Sequence, residues 1–188
     1  APETNNARLA LASLILDGKL PAHLRKAFPA PDRLLGQLEG LTANSDPARR
    51  ALVLQLKLAV QASNWMEALT LARKYRTTFP TGPEAETVTS LWGESFRAWA
   101  QQVLEKGNAA TLLPQLNPES MAVILPEQRL AVLRKLAKSG LSEPLAKLVS
   151  WSPEPERTAL RRAVLQELYP EAHADVTLAF LPGKNEAP

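Results

Sequence analysis

The sequence contains no cysteine. Disulfides, thiolate nucleophiles and cysteine-held zinc are therefore excluded. Histidine is almost as scarce: His23 and His173 are the only two, and neither sits in an HExxH pattern. No glycine-rich phosphate loop and no GxSxG elbow occurs. No apolar run approaches the roughly 20 residues a membrane-crossing helix needs. Charge of one sign is not concentrated either: 22 basic against 19 acidic residues leave a net +3. A dedicated nucleic-acid binder gathers far more positive charge, so the composition does not favour one. The composition points to no cofactor, no metal and no enzyme. The chain begins Ala1-Pro2-Glu3 and not with Met, which reads as a processed or trimmed product and leaves open a removed signal peptide or membrane anchor. With the missing cysteine, this tilts the expectation toward a periplasmic or other extracytoplasmic location, with cytosol still open.

Proline, by contrast, is plentiful, at 16 against 8 glycines. The prolines stand where helices begin or end. Asp46-Pro47, Asn117-Pro118 and Ser152-Pro153 read as N-cap and first helical residue, because proline's missing N–H is not needed in the first turn. Thr81-Gly-Pro-Glu84 and Asn64-Trp-Met-Glu67 have capping-box spacing. Phe79-Pro80 and Tyr169-Pro170 read as stops. Between these marks the apolar period is helical. Val88, Trp92, Phe96, Trp99 and Val103 share one face. Leu130, Leu133, Leu136 and Ala137 form a second stripe, and Leu160, Val164, Leu165 and Leu168 a third. Leu52 to Leu58 alternates like a strand, but its length and its proline start favour a helix packed on two sides. The pattern predicts an all-α chain with helices over 5–17, 20–28, 31–41, 47–62, 65–79, 84–106, 108–116, 118–125, 127–139, 142–150, 154–169 and 171–179. Short loops favour antiparallel pairs. No linker divides residues 1–180, a single expected domain, and 181–188 reads as a flexible tail.

Residues 47–80 span 34 residues, two helices about a turn at Ser63-Asn64. Ala68 near the start of the second helix, then Tyr75, Phe79 and Pro80, is a pattern that resembles the tetratricopeptide repeat. Leu56 and Ala59 stand where that family often has glycine and tyrosine, and Ala72 replaces its usual aromatic. Trp92-Gly93-x-x-Phe96 is a looser echo. The resemblance implies stacked helix pairs, as a superhelical array or an α–α bundle, and a groove that binds a protein or peptide.

The remaining candidates are single features. Trp65 and Trp151 read as residues at helix starts that offer anchors to a partner. Arg49/Arg50, Arg73/Lys74/Arg76, Arg134/Lys135 and Arg157/Arg161/Arg162 are basic clusters. Of these, Arg73, Arg76, Arg161 and Arg162 are the partner-binding candidates. Phosphate tracking by such clusters requires that they converge on one face. His23 neighbours Arg25 and Lys26. His173 lies between Glu171 and Asp175, a spacing for a weak metal or acid/base pair, though a solvated helix end explains it more simply. Glu94-Ser95 resembles the glutamate–serine pair of lytic transglycosylases, without the glycine-rich segment that follows it there. Together these features suggest a non-enzymatic interaction or assembly module. An envelope-polymer enzyme or accessory with Glu94 as acid, and a weak nucleic-acid binder, are the alternatives.

Overall fold

A computed structural model describes residues 2–38, 40–139, 142–154 and 156–168. Over these residues the protein is all-α, with no strand. By contact the chain divides into two compact units, one Ala1–Trp99 and the other beginning at Ala100. The division falls inside a continuous helix, so no change of composition marks it.

The first unit holds α1 (Pro2–Leu16), α2 (Ala22–Arg25), α3 (Pro31–Gly36), α4 (Asp46–Gln61), α5 (Trp65–Thr78) and the first part of α6 (Ala85–Glu105). Leu9 and Ala12 of α1, Leu34 and Leu35 of α3, and Ala51 and Leu54 of α4 form one core cluster. Leu56, Ala68 and Ala72 are also fully sheltered from solvent. Lys57 of α4 donates to Asp17 at 2.8 Å and Gln61 donates to the Leu16 carbonyl at 3.3 Å, tying α4 to the end of α1. The Lys57 hydrogen bond holds the Asp17 carboxyl below its ordinary range, against a smaller opposing effect of burial.

The strand-like alternation at 52–58 is helix, and α4 packs against α1, α3 and α5. That explains why Ala51 to Leu54 are buried consecutively. The α4–α5 turn is closed by a Schellman pattern: Ser63 N–H donates to Val60 and Asn64 N–H to Ala59, at 2.9 and 2.8 Å. The residue at the left-handed position is Ser63, with φ of 55°. At the end of α1 the same position is Gly18. A non-glycine residue there carries a steric penalty between Cβ and the following carbonyl. Ser63→Gly is therefore expected to raise stability by about 0.5–1 kcal/mol, after allowance for glycine's freer unfolded chain. A higher urea midpoint at unchanged m-value checks it.

The second unit holds a 3-10 helix (Ala109–Gln115), α7 (Pro118–Val123), α8 (Pro126–Lys138), α9 (Ser142–Ser150) and α10 (Glu156–Leu168). α8 is central and packs against the 3-10 helix, α9 and α10. Val132, Leu133 and Leu136 of α8 meet a core that includes Leu112, Met121, Ile124, Leu145 and Leu160.

Several boundaries differ from the sequence expectation. The helix expected over 20–28 is one turn, because none of its residues is buried and nothing stabilises a longer one. The helix expected over 31–41 stops at Gly36. The segment 108–116 is 3-10 and includes Pro114, which has no N–H for an α-helical bond. The cap of α4 is Ser45, not Asp46: its side chain accepts from the Ala48 N–H, and Asp46 pairs with Arg49 instead. Asn117 caps α7 as expected, in a reciprocal box with Ser120. Asn64 makes no cap bond to the backbone, and its amide donates to Glu67 at 2.5 Å. α6 starts after Glu84, which is occupied elsewhere. Ser152 caps nothing ahead of it: its hydroxyl donates back to the Leu148 carbonyl at 3.2 Å, and α10 begins only at Glu156. The Tyr169-Pro170 stop and the helix expected over 171–179 lie outside the described residues.

Candidate functional site

α3 is too short to cover α4. Its six residues rise about 9 Å, against about 24 Å for the sixteen of α4. After α3 the chain turns through Gly40, whose φ is 62°. Two grooves result, both within the first unit. One, of about 340 Å³, is lined by Leu35, Leu38, Leu41 and Ala43, by Ala48, Ala51, Leu52 and Gln55 of α4, and by Lys74, Thr78 and Phe79 at the end of α5. The other, of about 370 Å³, is lined by Asp32, Leu35 and Gly36, by Gln55, Leu58, Ala59 and Ala62, and by Asn64 and Glu67. Leu35 and Gln55 belong to both. The charged residues are divided: Lys74 lines the first groove, Asp32 and Glu67 the second. Such an arrangement can hold apolar side chains and orient a charged segment.

The wall of the first groove is braced by a polar cluster. The Tyr75 hydroxyl donates to Glu84 at 3.0 Å, and the Arg49 guanidinium pairs with both Glu84 and Asp46. Tyr75 is 1% exposed. Burial pushes its hydroxyl above the ordinary range, and the Arg49 charge opposes that rise. The Tyr75 and Phe79 rings lie 5.6 Å apart.

The residues singled out from sequence fall elsewhere. Trp65 opens α5 as expected and is half-buried, but it lines neither groove. Arg73 is exposed beside Lys74. Arg76 lies over Trp92, its guanidinium carbon 5.3 Å from the ring centroid. Trp151 is not at a helix start. It follows α9, with its N–H bonded to the Lys147 carbonyl, because Ser152 ends that helix instead of beginning the next. Arg161 is half-buried and Arg162 exposed, both on α10 of the second unit.

Trp92, Phe96 and Trp99 form a buried series with centroids 5.8 and 5.7 Å apart, so the aromatic stripe is core and not a shelf. Leu130 of the second stripe is only half-buried, and Arg129 is buried in its stead. Glu94 is exposed on α6. Ser95 is buried and donates to the Leu91 carbonyl at 2.7 Å. The basic clusters are partly consumed by internal bonds. Arg49 pairs with two carboxylates, Lys135 donates to the Leu104 carbonyl, and Arg157 binds the Ser152 carbonyl and Glu154. His23 is exposed, and His173 lies outside the described residues. Among the described residues no group of three His, Asp or Glu is placed to hold a metal, and no helix is long and apolar enough to cross a membrane.

The sequence reading missed Gln55 and Leu35. The available signal was Gln55 itself, an amide within the apolar run Leu52 to Leu58. No family model, curated protein sequence or solved structure matches this chain.

Proposed function

We propose that this chain is a non-enzymatic protein-interaction module, and that it takes an apolar segment of a protein partner along α4 in the first unit. The two grooves along α4, which share Leu35 and Gln55, carry the reading. Grooves of this size and lining suit a few apolar side chains of a peptide or helix. Their charges suggest the partner's polarity: an acidic residue toward Lys74, and a basic one toward Asp32 and Glu67. The tetratricopeptide-like spacing of 47–80 supports the same reading, since α4 and α5 are the helices of that unit.

A photo-crosslinking residue at exposed Gln55 tests it in the source cell. The expected result is a discrete protein adduct, absent when the probe replaces exposed Glu94. Gly36→Phe should suppress it, because Gly36 lines the second groove and a Cβ there meets nothing within 4 Å. Equal labelling from the two probe positions would sink the proposal.

A further inference from the structure

Residues 21–30 are exposed without exception, in a chain whose other helical segments bury a face. The stretch is nevertheless not polar. Leu24 is 39% exposed and Phe28 41%, and they stand four residues apart. Leu20, four residues earlier, is half-buried. Leu14 in the last turn of α1 is exposed too, and its carbonyl accepts the Lys19 and Leu20 N–H groups, which sets it beside the start of the stretch. Charge is biased in the same place. From Gly18 to Pro31 there is no acidic residue, while Lys19, Arg25 and Lys26 are basic. Asp17 borders the patch, but Lys57 occupies it at 2.8 Å and Lys19 stands 3.9 Å away. Arg25 is steadied by its Nε bond to the Leu20 carbonyl at 3.2 Å.

Large apolar side chains held in water beside cations mark an interaction surface. The occupant follows from shape and charge. Neither groove described above includes any residue of 18–30. Leu24 and Phe28 lie in a segment whose residues are all exposed, and neither belongs to those two grooves. A peptide partner needs a concavity to bury its own side chains, whereas a lipid surface accepts projecting ones. We infer that residues 19–28 dock this protein on an anionic lipid surface. Leu24 and Phe28 seat at the headgroup–acyl boundary, and Lys19, Arg25 and Lys26 face the lipid phosphates. No crossing of the bilayer is involved.

Co-sedimentation of the full chain tests this with two vesicle types: phosphatidylcholine alone, and phosphatidylcholine mixed with phosphatidylglycerol. The chain should sediment with the mixed vesicles, weakly with the neutral ones, and be released as salt is raised. Phe28→Ser and the pair Arg25→Ala/Lys26→Ala should each weaken binding about tenfold. All three positions are exposed, and an unchanged circular dichroism spectrum confirms an intact fold. Absence of sedimentation with the mixed vesicles, or variants that bind like the parent, overturns the inference. So does soluble polyglutamate that binds as tightly with the same need for Phe28, an outcome that assigns the patch to an acidic protein.

Discussion

Arg129→Ala is expected to lower the stability of the second unit by about 3–5 kcal/mol, the cost of breaking a buried, hydrogen-bonded ion pair from one side. Arg129 is 4% exposed. Its guanidinium donates to the Met121 carbonyl at 2.8 Å and to the Ile124 carbonyl, where α7 has run out of its own N–H donors. Its Nε and Nη2 donate to Glu156 at the start of α10, at 3.1 and 2.6 Å. One side chain thus joins α7, α8 and α10. Alanine leaves two carbonyls and a carboxylate without this partner, and leaves a cavity beside Met121 and Ile124. Lysine keeps the charge but lacks the planar fork, so Arg129→Lys should recover only part of the loss. Glu156→Gln should cost less than either, because Glu156 is a third exposed and water can replace it. Hydrogen exchange at the α7, α8 and α10 amides measures the effect in this unit. A loss in Arg129→Ala below about 1 kcal/mol would show that the pair merely balances its own desolvation.

The second large effect belongs to Gly82. A Cβ built there would sit inside the van der Waals envelope of the Tyr75 hydroxyl, with Tyr75 Cζ at 3.1 Å and the Phe79 carbonyl at 3.2 Å. Tyr75 is fully buried, and its hydroxyl is bonded to Glu84, so the ring has little room to retreat. Gly82→Ala is expected to cost about 1–3 kcal/mol, the usual range for overpacking. Tyr75→Phe alone should cost about 1 kcal/mol for the lost hydrogen bond. In the double variant the closest of these three atoms, the Tyr75 hydroxyl oxygen, is gone. The loss in the double variant should then be smaller than the sum of the two single losses by at least about 0.5 kcal/mol, the signature of residues in direct contact. Urea titrations of the three variants supply the cycle. Strict additivity would place the Gly82 effect in the backbone instead of in the Tyr75 contact.

These two residues show why some features were legible from sequence and others were not. Gly82 could be seen only as part of Thr81-Gly-Pro-Glu84, a plausible cap. The carboxylate that the spacing assigned to the α6 terminus is instead held by Tyr75 and Arg49, from two other helices. Arg129 directly precedes Leu130 of the apolar stripe and belongs to none of the basic clusters picked out by spacing. Nothing within α8 reveals that the end of α7 and the start of α10 converge on it. The same holds for Trp151: its position depends on whether Ser152 bonds forward or backward, and it bonds backward to Leu148. For the candidate site, Lys74 was noticed as a charge, whereas Leu35, Leu52 and Gln55 were not noticed as a surface.

By itself the sequence determined the all-α class, most helix boundaries, and the buried stripe Val88, Trp92, Phe96, Trp99 and Val103. These depend on interactions within a few residues: cap hydrogen bonds, proline's missing donor, and the 3.6-residue period. Only the tertiary structure decided which polar groups are buried, that Arg129 joins three helices, and that α3 is too short to cover α4. Those outcomes are set by groups far apart in the chain. A charge is buried only when partners arrive from other helices, and a groove exists only where a neighbouring helix stops short. The acid-free run from Gly18 to Pro31 belongs to both: its charges are plain in the sequence, but that Leu24 and Phe28 stay about 40% exposed is a fact of the fold.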